Sequence, residues 1–294
     1  MQALWEQSRR QESAGETEWG SQLQAIYASG RGLEETLQYL HHKQPKLDDF
    51  LNWMNCNNVP PQAVPQNDVL SPGDLAFFER HGYLVLHGAV DDAACAEARA
   101  LILAHLQAHI NDPSSWYGTQ SDREGLMVQL YHHPVLEANR RSPRIRRAFE
   151  QLYASTALHA VVDKVSFNPP ETSSYTFKGS PLHWDVSLAQ PIPFKLQGLV
   201  YLSDCAADAG AFHCVPGFHK EIAGWLNSLP KTVNPREEAI RLLQPIPIPG
   251  QAGDLVIWHQ ALPHCATANH STLPRFVQYI TYDPDGYCGQ EMWV

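Results

Sequence analysis

From about residue 157 the chain breaks into short β-prone runs separated by Pro and Gly, and this alternation constrains the fold more than any other feature. The runs are "LHAVVDKVSFNPP", "PLHWDVSL", "KLQGLVYLS", "GAFHCVPGFH", "GDLVIWHQ" and "RFVQYITYD". Each is short, rich in β-branched or aromatic residues, and bounded by turn formers. One helical pattern, "NPREEAIRLL", interrupts them. The pattern reads as a β-sandwich or barrel. A chain of 294 residues that is 44% hydrophobic has ample material for its core.

The first half reads as helical decoration. Residues 1–69 form a helical N-terminal extension in this reading, and residues 70–294 the main domain. In the extension, Leu33, Leu37, Leu40, Leu47, Phe50 and Leu51 recur at helical spacing, broken at Pro45. Two short helices are expected there, then a loop "NCNNVPPQAVPQND", with no chemistry in either. The main domain opens on a helix capped by Ser71, with Pro72 in its first turn, Asp74 completing a capping box and Gly82 ending it. A strand "YLVLHG" follows, then a helix started by Asp91 or Asp92, then another with Ser142 as cap and Pro143 at its first position.

A net charge of −10 argues against nucleic acid or an anionic membrane as partner. The six Cys form no C-x-x-C, which argues against a zinc knuckle or a thioredoxin-type site. The polar N-terminus holds no apolar stretch of a signal peptide, and no run of eighteen apolar residues occurs. The expectation is a soluble cytoplasmic protein.

Among the polar residues, His183 and Asp185 stand out. Fifteen His and fifteen Asp in this chain put about one His-x-Asp pair in it by chance, so the pair needs support. On a strand the two side chains share a face, and Trp184 points the other way. A third ligand must come from elsewhere in the sheet. The segment "GDLVIWHQALPHCATANHSTLPRF" offers His259, His264 and His270. Two imidazoles and one carboxylate, with further positions open, make the facial triad of non-haem Fe(II) oxygenases. The His219–Glu221 pair is placed on a turn, and the pairs His41–His42 and His132–His133 are read as structural or solvated. Trp184, Trp225 and Trp258 are read as core.

Several stretches taken together resemble the phytanoyl-CoA dioxygenase (PhyH) family. "LSPGDLAFFERHGYLVLHGAV" is similar to the family's opening helix, F-x-x-x-G-Y and strand. "GAFHCVPGFHK" is similar to its G-A-x-x-x-V-P-G-S-H-K turn, with Phe218 in place of Ser. His264, Asn269, Ser271 and Arg275 fall on the positions of its final motif. The resemblance covers roughly residues 70–283. It implies a mainly β fold with added α, a double-stranded β-helix (jelly roll) flanked by N-terminal helices. It implies iron binding by His183, Asp185 and His264, and a 2-oxoglutarate clamp at Arg275. A buried co-substrate carboxylate calls for a bidentate, permanently charged partner, which fits that role. Two places after His264, where the family often has a small hydroxyl residue, stands Ala266, with Thr267 next. Asn168 sits where the family often has Lys or another polar group. Gln197, Tyr175 and Lys178 are further candidates to reach the cavity.

The resemblance thus implies an Fe(II)- and 2-oxoglutarate-dependent dioxygenase that uses O2 and releases succinate and CO2. The expected outcome is hydroxylation of a small-molecule metabolite or natural product in biosynthesis, with desaturation, ring closure or rearrangement as alternatives. Related halogenases carry Ala or Gly in place of the carboxylate ligand, so Asp185 implies no halogenation. Two other classes fit the residues alone: a non-redox zinc or manganese enzyme on a cupin-like barrel, and a binding module without catalysis.

Overall fold

The computed structural model describes residues 1–10, 22, 25, 26, 29, 31, 33–55, 67–118, 123–177, 179–285, 287, 290 and 293. Its β-prone half, joined by three strands from before residue 157, forms antiparallel sheets. The larger contains β1 (Tyr83–Leu86), β2 (Arg123–Glu124), β3 (Met127–Val128), β5 (Val165–Asn168), β7 (Leu196–Tyr201), β10 (Leu255–His259) and β12 (Arg275–Tyr279). Its order is β1-β10-β7-β12-β5-β3-β2. The smaller contains β6 (Ser180–His183), β8 (Phe212–Cys214), β9 (Ile246–Ile248) and β11 (His264–Ala266), in the order β6-β11-β8-β9. A separate pair joins β4 (Leu158–Val161) to β13 (Thr281–Pro284).

Strand period explains how the larger sheet is covered on both faces. Leu196, Val200, Leu255, Ile257 and Phe276 belong to one apolar cluster, together with Ile102 and Phe149 of the helices. Their strand neighbours Leu199, Tyr201, Val256, Trp258 and Val277 belong to another, together with Leu182, Phe212 and Ile248 of the smaller sheet. Alternate side chains thus face the helices and the opposing sheet. Tyr201 links the sheets directly: its hydroxyl donates to the Ile248 carbonyl and accepts from the Phe212 amide. Two facing antiparallel sheets with helices on the outer face make the jelly roll expected. Phe167 and Phe276 meet edge-on across β5 and β12, 5.2 Å between rings; truncating either to Ala would cost about 3–5 kcal/mol.

The helices Pro72–His81, Asp92–His105 and Pro143–Tyr153 start on Ser71, Asp91 and Ser142, whose side chains accept from the third amide onward. The first also closes on Gly82, whose φ of 75° suits glycine. Three differences from the sequence reading stand out. The run 157–170 is two strands, not one. A helix Pro134–Arg140 precedes Pro143–Tyr153. In the β half, Phe218–Ser228 is helical in addition to Pro235–Leu242, so His219 lies in the first turn of a helix rather than in a turn.

In the extension the break at Pro45 separates the helical segments 33–43 and Leu47–Asn55, and a further helix, Gln2–Arg10, lies ahead of them. Leu4, Ile26, Leu40, Phe50 and Met54 form an apolar cluster of their own. The connecting segment 56–66 lies outside the described residues. Among these, no helix is long and apolar enough to cross a membrane, and Cys95, Cys205, Cys214 and Cys265 are buried free thiols.

Candidate metal centre

His183 ends β6 and His264 begins β11, and the two are direct partners across the smaller sheet. Opposed residues bring their side chains close, and the two rings lie 4.6 Å apart. The strand stops at His183, so Asp185 sits in a bend just beyond it rather than in the strand expected. The bend still delivers its carboxylate between the rings: Oδ1 is 3.4 Å from His183 Nε2 and Oδ2 is 3.2 Å from His264 Nε2. Trp184 turns away into the core, with its indole N–H on the Ala261 carbonyl. The three ligand atoms lie within 4.8 Å of one another. Atoms bound at about 2.1 Å to one ion are about 3 Å apart when adjacent around it, so the arrangement has the size of a metal site. Among the described residues no other three His, Cys, Asp or Glu side chains converge in this way.

The surroundings prepare the ligands. His183 Nδ1–H donates to the Pro181 carbonyl at 2.7 Å, and His264 Nδ1–H to the Leu262 carbonyl at 3.2 Å. Each ring is thereby held in the tautomer whose Nε2 lone pair faces the centre. Gln197 donates from Nε2 to Asp185 Oδ2 at 2.8 Å, while its Oε1 accepts from the Trp258 indole at 3.0 Å. Burial pushes the Asp185 carboxyl up, but its contacts with the His183 and His264 imidazoles and the bond from Gln197 outweigh it and hold the group well below the usual carboxylate range. For His183 burial works against the charged form, and the contact with Asp185 carries the net shift upward.

These groups open onto a cavity of about 1060 Å³ between the sheets. Arg275, at the start of β12 and 2% exposed, lines it from the larger sheet. Its guanidinium donates to the Gly210 carbonyl and to Ser166 Oγ, and its Nε has no partner among the described residues. Among the described residues no carboxylate is ion-paired with it. A buried cation without a counter-ion is costly unless an anion joins it.

The remaining candidates divide. Gln197 and Tyr175 line the cavity, and Tyr175 packs 5.2 Å from Tyr117. Asn168 and Thr267 are not among its lining residues: Asn168, fully buried, donates to the Thr267 carbonyl behind Arg275. Gly210 closes that layer, with φ 72° and no room for a Cβ, which would meet Asn168 Nδ2 at 2.4 Å. Lys178 lies outside the described residues. Of the rival histidines, His259 accepts from the Ala261 amide on the outer side, and His270 sits 3.6 Å from Glu171. His133 caps a helix and His132 pairs with Glu137. Ser166, Asp163 and Tyr279 also reach the site and had no signal in the sequence, because only strand pairing brings them there. Asp163 lines the cavity with one oxygen on the Lys164 amide, and burial pushes its carboxyl up.

The model of the phytanoyl-CoA dioxygenase (PhyH) family matches residues 78–277. A Dictyostelium discoideum protein named "Putative phytanoyl-CoA dioxygenase" is 24% identical over 261 residues, covering 71% of this chain and 74% of that protein. Among solved structures, the chain is similar to the non-haem α-ketoglutarate-dependent epimerase SnoN of nogalamycin biosynthesis (22% identity, 72% of this chain and 81% of that one, TM-score 0.52). It is also similar to HygX from Streptomyces hygroscopicus, solved with nickel and 2-oxoglutarate bound (16% identity, 75% and 89%, TM-score 0.54). At these identities the likeness is one of fold.

Proposed function

The chain belongs to the phytanoyl-CoA dioxygenase (PhyH) family, and from that premise we propose that it is an Fe(II)- and 2-oxoglutarate-dependent oxygenase of a small molecule. One observation carries the reading: a His-Asp-His triad and a buried, unpaired Arg275 open onto the same cavity. The donor set suits ferrous iron, with two imidazoles and a carboxylate leaving positions free for co-substrate and O2. The unpartnered Nε of Arg275 suits the far carboxylate of 2-oxoglutarate. When bound, iron and 2-oxoglutarate supply the oxidising chemistry, coupled to release of succinate and CO2.

The protein's part is to hold and orient. His183, Asp185 and His264 bind the ion, and the backbone carbonyls of Pro181 and Leu262 keep both imidazoles facing it. Gln197 keeps one Asp185 oxygen turned inward. Arg275 fixes the co-substrate at its distal end. Phe212 and Trp258 pack on His264, rings 5.7 and 5.2 Å away, and keep water from that side. The rest of the cavity, with Asp163, Tyr117 and Tyr175, is the substrate's space, and Asp163 offers an acceptor to a hydroxyl or amine there. We read the catalytic domain as residues 70–294 and residues 1–69 as an extension. Within the class, hydroxylation is the reaction we assign.

Anaerobic addition of Fe(II) and 2-oxoglutarate tests the reading. A weak visible charge-transfer band is expected, followed on aeration by succinate release that quickens with the correct substrate. A protein that binds iron but gives no band with 2-oxoglutarate, or that turns over with zinc alone, is not this enzyme.

A further inference from the structure

Asp185 lies in a bend, and a ligand in a bend needs something to fix it. The chain supplies Arg236, about fifty residues on. Its Nη1 donates to the Trp184 carbonyl at 3.0 Å and its Nη2 to the Val186 carbonyl at 2.8 Å. These are the carbonyls of the residues immediately before and after Asp185. The two arms of one planar guanidinium therefore straddle the ligand residue, and both carbonyls of the bend gain partners that no strand provides.

The platform for this grip is itself anchored. Arg236 is the second residue of the helix Pro235–Leu242, whose cap Asn234 accepts the Arg236 amide at 2.9 Å. Ala239 of the same helix is fully buried in the apolar cluster that holds Leu182, Trp184 and Val186. Trp293 lies over the guanidinium, 5.1 Å from its ring centre.

We propose that Arg236 is a positioning residue of the metal centre, which sets metal affinity by clamping the Asp185 bend; the inference rests on the metal-centre reading above. Charge and geometry predict opposite results here. A cation near the centre opposes a divalent ion, so an electrostatic role would make the neutral variant bind metal more tightly. A clamping role makes both Arg236→Gln and Arg236→Lys bind more weakly, since an ammonium keeps the charge but lacks the fork.

The test is titration of the full-length protein with Mn(II), read by loss of the free-ion EPR signal, and with Fe(II) under nitrogen. Near-UV circular dichroism of the metal-free variants serves as the fold control. Both variants should bind about 10- to 100-fold more weakly, with the spectrum of Arg236→Lys unchanged. If Arg236→Gln fails to fold, Arg236→Lys decides alone. The inference is overturned if Arg236→Lys binds within twofold of wild type, or if Arg236→Gln binds more tightly. The wild-type titration is read first: no binding there removes the metal centre itself, and the clamp with it.

Discussion

Two of the histidine pairs that face each other in this fold join distant segments of the chain at similar range, yet only one has the setting a metal ion needs. His183 and His264 lie 4.6 Å apart, His219 and His259 5.3 Å apart. In the first pair backbone carbonyls take both Nδ1–H groups, and a carboxylate stands between the Nε2 atoms. In the second, His259 spends Nδ1 on the Ala261 amide and His219 donates from Nε2 to the Glu79 carbonyl at 3.3 Å. Proximity alone does not make a site; what the other nitrogen is doing decides it.

The largest effect should come from exchanging the fate of the two pairs. His264→Ala is expected to abolish iron-dependent turnover while leaving the fold intact, because the binding loss falls on one of three protein ligands. His259→Gln should leave Fe(II) affinity unchanged. Iron titration of both variants checks this, and retention of near-normal turnover by His264→Ala would remove that ligand from the assignment.

A second contrast sets Arg275 against Arg140. They are 2% and 1% exposed, but Arg140 is ion-paired with Glu137 and also donates to the Tyr131 and Asp163 carbonyls. Arg275→Gln should raise the KM for 2-oxoglutarate about 100-fold, ~2.7 kcal/mol, the scale of losing one side of a buried charge pair. Arg140→Gln should instead lower thermal stability and leave that KM alone. Equal effects on both quantities from both variants would erase the contrast.

How much of this was legible in the sequence follows the same logic of local against distant partners. Helices with Ser71, Asp91, Ser142 and Asn234 at their caps could be read, because the signal is in the cap residue. The helix Pro134–Arg140 starts on His133, and Phe218–Ser228 starts on Gly217 with no side-chain cap bond, so neither announces itself. The His-x-Asp pair could be read; His259 and His270 read more readily as a strand-end and a loop histidine, and the resemblance placed the third ligand on His264. The end of β6 at His183 could not be read at all, since the grip on the bend comes from Arg236, far along the chain.

The outer histidine pair carries a pH signature of its own. Burial, then the neighbouring His219, depresses the His259 pKa to about 4. Protonation would also turn Nδ1 from acceptor to donor against the Ala261 amide. The unfolded chain, with an ordinary His pKa near 6.5, takes up this proton first. The stability contribution is therefore complete above about pH 7, falls as pH drops from about 6.5 to about 4, and is gone below that. The loss should be about 3 kcal/mol. Urea midpoints of wild type and His259→Gln across this range give the test: the difference between them should shrink toward acid pH, and parallel curves would contradict the assignment.

The smallest effect probes the claim that the groups behind the ligands separate the two pairs. Gln197 bridges Asp185 Oδ2 and the Trp258 indole. In Gln197→Leu the ligands all remain, but the carboxylate loses a donor and the buried indole N–H loses its acceptor. Fe(II) affinity should fall about tenfold, ~1.4 kcal/mol, with Gln197→Glu behaving differently because it restores the indole acceptor and places a second negative charge beside Asp185. If Gln197→Leu binds iron like wild type, Asp185 is fixed without it. The contrast between the histidine pairs then rests on the carbonyls of Pro181 and Leu262 alone.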